Sequence, residues 1–174
     1  MYTNEWFLEQ ARLGRMYHAC SAGAVTLSTV STTCTGLALS NVWGSGKLLV
    51  VKQVNFAPST APAGAAVVGI AIHTALSTTE TVHTTPMVIH NAIAKGNVSN
   101  VSAGKADAAA TLASTPLWLR PMGSVVAGSS ISPAKYTDET NGTIIIPPGG
   151  ALSLSYLTTA AVGIASITWV SIDE

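Results

Sequence analysis

The feature that most constrains this 174-residue chain is the patterning of its short apolar runs. Leu152-Ser153-Leu154-Ser155-Tyr156 alternates apolar and hydroxyl side chains, the period-two pattern of a strand with one wet face. Leu48-Leu49-Val50-Val51, Val67–Ile72 and Ile144-Ile145-Ile146 do not alternate. Both of their faces are apolar, whereas an antiparallel strand normally turns one face to water. These strands need a second cover, and the simplest cover is a neighbouring subunit. Burying one Ile or Val side chain is worth roughly 1.5–3 kcal/mol, so a few per copy suffice to drive assembly.

The pattern predicts strands at Ala24–Ser31, Thr35–Ser40, Lys47–Phe56, Ala65–Thr74, Val82–Asn91, Leu117–Val126, Thr143–Ile146, Ala151–Leu157 and Gly163–Ile172. Gly44-Ser45-Gly46, the Pro58 to Gly64 stretch, Asn141-Gly142 and Pro147-Pro148-Gly149-Gly150 punctuate them. Short β-branched runs bounded by Gly and Pro point to an all-β sandwich or barrel. The alanine-rich stretch Gly104–Leu112 reads as a helix or a loop.

The N-terminus differs. Residues 1–15 hold four of the sixteen charges. Thr3 or Asn4 can cap a helix there, Glu5 and Glu9 suit its positive end, and Arg12 and Arg15 its negative end. Gly14 is its expected stop. Trp6, Phe7, Leu8, Leu13 and Tyr17 give it an apolar side, and a helix this short needs a docking surface to be stable. Residues 1–20 are therefore expected to form an arm and residues 21–174 a single β domain. The arm lacks the basic-then-apolar order of an export signal. Ala151 to Ile172 is free of charge, but its strand alternation argues against a membrane helix.

Composition narrows the function. Only 9% of residues are charged, against about 25% in a typical chain. Basic and acidic residues cancel, which removes the cationic surplus that nucleic acid or an anionic membrane surface requires. A near-neutral, charge-poor surface favours self-association. Two cysteines, Cys20 and Cys34, are too few for a disulfide scaffold and are expected to be free.

No catalytic constellation emerges. Gly44-Ser45-Gly46-Lys47 is similar to the end of a phosphate-binding loop, but Leu48 follows the lysine and Asn41 stands where the first glycine belongs. His18, His73, His83 and His90 are at least seven positions apart, so no metal set is expected, although one formed across strands is compatible with the spacing. There is no Gly-x-Ser-x-Gly elbow. Glu80, Asp107, Asp138, Glu139, Asp173 and Glu174 read as loop tips and chain end rather than paired carboxylates. Trp43, Trp118 and Trp169 stand singly, as core or interface residues do. The expectation is a protein that is not an enzyme and has no cofactor.

Two blocks carry a family resemblance. Cys34 through Val50, with its Asn41 turn and Gly44-Ser45-Gly46-Lys47 ahead of an apolar strand, resembles a block of tailed-bacteriophage structural proteins. Thr143 through Leu152, followed by Ile167-Thr168-Trp169-Val170, resembles the C-terminal half of the same group. The resemblance implies an antiparallel jelly-roll β-sandwich of about eight strands, often trimeric, located in the virion on the capsid surface and assembled in the host cytoplasm. It implies a head decoration (cement) protein that binds the major capsid protein. The apolar side of the N-terminal arm, Trp6, Phe7, Leu8, Leu13 and Tyr17, is then the expected docking surface. The alternative it leaves open is a receptor-binding or fibre-tip module that holds host-surface glycan, with Trp43 or Trp118 in the site.

Overall fold

The computed structural model describes residues 3–73, 81–93, 104–128 and 135–174. Among them one helix, α1 (Asn4–Arg12), precedes thirteen strands. In chain order these are β1 (Met16–Cys20), β2 (Val25–Thr26), β3 (Thr33–Asn41), β4 (Lys47–Thr60), β5 (Ala66–His73), β6 (Val82–Pro86) and β7 (Ile89–Asn91). They continue as β8 (Gly104–Thr111), β9 (Leu117–Val125), β10 (Tyr136–Asp138), β11 (Ile144–Ile146), β12 (Ala151–Leu157) and β13 (Val162–Asp173).

The strands form two antiparallel sheets packed as a jelly-roll-like sandwich. The first runs β10-β4-β13-β1-β7, with β11 also on β4 and β2 also on β13. The second runs β6-β8-β3-β12-β5-β9. Leu49, Val51, Val54, Phe56, Ile167 and Trp169 of the first sheet meet Leu37, Leu39, Val68, Ile70, Leu152 and Leu154 of the second, all buried. Trp169 lies at the centre, stacked on Tyr17 with ring centroids 5.9 Å apart.

α1 begins where its cap predicts. The Thr3 hydroxyl accepts from the Trp6 N–H at 3.2 Å, and Gly14, at φ +72°, turns the chain into β1. The helix then supplies the second cover for one of the two-sided strands, at Val50 of β4. Phe7 packs with Met16, Val50 and Val170 on the outer face of the first sheet, while Leu49 and Val51 point inward. The outer face of the Leu48–Val51 run is thus covered by this chain's own helix rather than by a neighbour. Residues 1–20 accordingly do not stand apart from the sandwich. Residues 16–20 form β1, an interior strand paired to β13 and β7.

Gly104–Leu112 is strand rather than helix, because β3 and β6 hydrogen-bond to both of its edges and tertiary pairing overrides alanine's helix propensity. Val82–Asn91 breaks after Pro86 into β6 and β7, which belong to opposite sheets. Asp107 lies mid-strand in β8 and is 1% exposed, not at a loop tip. Asp138 ends β10 and accepts two hydrogen bonds from Arg120, each 2.7 Å. Cys20 and Cys34 are free, the first exposed and the second buried.

Candidate functional site

The five expected docking residues divide sharply. Phe7 and Tyr17 are buried within the fold, and Trp6 is half-buried with its ring edge-on to Phe7. Lys52 Nζ sits 5.6 Å from the centre of the Phe7 ring. Leu8 and Leu13 are 53% and 57% exposed. At 100° per residue they fall on either flank of the buried Phe7 position. α1 is thus a helix riveted by one aromatic residue, with apolar side chains left along its flanks.

A second constellation lies at the β6–β8 edge of the other sheet. His83 Nδ1 is 2.6 Å from Asp107 Oδ2. The other carboxylate oxygen, Oδ1, is buried without a hydrogen-bond partner. Burial pushes the Asp107 carboxyl above its usual range, and the His83 hydrogen bond and nearby His83 and Lys105 charges only partly oppose this. His83, Pro86, Met87, Ile89, Lys105 and Asp107 line a recess of about 160 Å³. An acid holding a histidine ring in place is half of a nucleophile-activating relay. Among the described residues, however, no hydroxyl or thiol bonds His83. Twenty-four residues separate the pair, and only the register of β6 on β8 brings them together.

Another recess, about 150 Å³, is apolar and lined by Ile72, Leu119, Ile144, Ile145, Ile146 and Pro147 with His73. Burial holds the His73 imidazole below its ordinary pKa, so it is neutral at pH 7, and its Nδ1 is unpartnered. Trp43 is 42% exposed beside Ser40 and Asn41. Among the described residues no three His, Cys, Asp or Glu side chains gather as a metal-holding group. No helix among them is long and apolar enough to cross a membrane.

The Asn41 turn has a structural role. Its side-chain amide donates to the Lys47 and Ile146 carbonyls at 2.8 and 3.0 Å, and Ser45 Oγ donates to its Oδ1 at 2.9 Å. The glycines beside Lys47 therefore shape a latched hairpin, and Lys47 Nζ pairs with Asp173. Comparison with protein-family models, curated proteins and solved structures finds no match for this chain.

Proposed function

We propose that this protein is a virion structural protein that decorates a bacteriophage coat-protein lattice. In this reading α1 is the gripping element, and it acts as a fixed ridge rather than a loose arm. The observation that carries the reading is the pairing of a buried Phe7 with exposed Leu8 and Leu13. Apolar side chains presented on an element already ordered lose less conformational entropy on docking than those on a free arm. Very low charge supports the same reading, since little repulsion opposes close packing of copies. Self-association as a homotrimer belongs to it too, with Leu117 and Leu119 of edge strand β9 and Ile145 as apolar surface available for burial. Affinity then comes from many weak contacts multiplied over a lattice.

The test is co-sedimentation of the purified protein with undecorated heads of the phage that encodes it. Wild type is expected to saturate the heads, and the double variant Leu8→Asp, Leu13→Asp to remain in the supernatant while folding normally. Full occupancy by the double variant overturns the role of α1. Absence of the protein from purified heads overturns decoration altogether.

A further inference from the structure

The outer face of the first sheet brings together two histidines that lie 72 positions apart in the chain. β1 and β7 pair with His18 directly opposite His90. Directly opposed residues of an antiparallel pair project from the same face. The Ala92 N–H donates to the Met16 carbonyl at 2.9 Å, which makes 16 and 92 a hydrogen-bonded pair. Hydrogen-bonded pairs recur every second residue, so 18 and 90 form the next one, with Cα atoms typically about 5.5 Å apart. Both imidazoles are exposed.

We propose that His18 and His90 form a two-histidine chelate for a divalent late transition metal, zinc foremost, on this face. Imidazole nitrogen is the ligand such ions favour, and the opposed register places two of them within span of one ion. Water completes the coordination sphere. His18 is already oriented from its far side, because its Nδ1 lies 2.9 Å from Thr168 Oγ1 on β13, the neighbour opposite to β7. With the ion on Nε2, Nδ1 carries the proton and donates it to Thr168, the outer-shell arrangement that fixes a ligating histidine's tautomer. Lys52 faces the site, and its positive charge weakens the chelate without blocking it. Cys20, exposed two residues along β1, is not required.

Zinc chloride titrated calorimetrically into metal-free full-length protein at pH 7.5 tests the site, with zinc-induced rise in melting temperature as a second readout. Wild type is expected to bind about one ion per chain. His18→Ala and His90→Ala are each expected to lower affinity at least tenfold and abolish the melting shift, and Thr168→Val to weaken binding by about ten- to a hundredfold. Cys20→Ser is expected to bind as wild type does. Lys52→Ala is expected to bind more tightly. No saturable binding by wild type, or undiminished binding by either histidine variant, overturns the proposal. All five positions are surface or half-exposed, and unchanged circular dichroism of each apo variant separates loss of the site from loss of the fold.

Discussion

The Asn41 side-chain amide donates to the Ile146 main-chain carbonyl, 3.0 Å away and 105 residues later in the chain. That one amide joins the end of β3 to the end of β11, and its second bond, to Lys47 O, holds the start of β4. The stretches Cys34–Val50 and Thr143–Leu152 therefore meet at a single buried side chain. Asn41→Ala leaves two carbonyls short of a donor, at roughly 1–3 kcal/mol for each buried orphan. Urea unfolding is expected to show a lower midpoint with an unchanged slope, and a midpoint equal to wild type would contradict the latch.

Phe7 decides whether α1 is part of the fold. Its ring is 1% exposed against Met16, Val50 and Val170. Phe7→Ala is expected to cost about 3–5 kcal/mol, as truncation of a buried aromatic does. Leu8→Ala and Leu13→Ala, at exposed positions, should stay within about 0.5 kcal/mol. Equilibrium denaturation of the three variants separates the anchor from the docking flanks, and equal small effects would mean an undocked helix.

Asp107 makes stability depend on pH in a stated direction. Burial raises its folded-state pKa above the unfolded value. The fold therefore favours the protonated acid, a contribution present below the unfolded pKa of about 3.9 and lost as pH rises through the folded one. Asp107→Asn removes the ionisation while keeping an acceptor for His83. Its melting temperature is expected to exceed wild type at pH 7.5, with the gap closing at pH 3.5. Thermal scans at the two values decide the sign, and a wild type that is more stable at pH 7.5 would mean that the His83 pair outweighs burial.

The two thiols should differ in reactivity. Burial pushes Cys34 up to about 11, while Cys20 is exposed. A chromogenic disulfide reagent at pH 8 is expected to label one thiol per native chain quickly and the second only on unfolding. Two fast thiols would contradict the burial of β3.

Local pattern was enough for much of the fold. The alternation at Ala151–Leu157, the charge-free run before Asp173 and the Thr3 cap with Gly14 all appear as strand, strand and helix, but the expected wet face of Ala151–Leu157 is buried, with Ser153 and Ser155 each 1% exposed. These features are written in side-chain periodicity and backbone preference, which act over a few residues. Gly104–Thr111 and Met16–Cys20 were not legible as strands. Alanine's intrinsic preference is for helix, and the pull on β1 comes from partners on both sides that no local window contains.

Sequence by itself determined that this chain makes Gly- and Pro-punctuated strands, that some of them are apolar on both faces, and that a capped amphipathic segment precedes them. Tertiary structure alone decided that this segment covers the outer face at Val50 and Val170, and that His83 meets Asp107 and His18 meets His90. The physical reason is register. A strand's face is set by a period of two, but which strand lies beside it depends on which arrangement of all the sheets buries the most apolar surface.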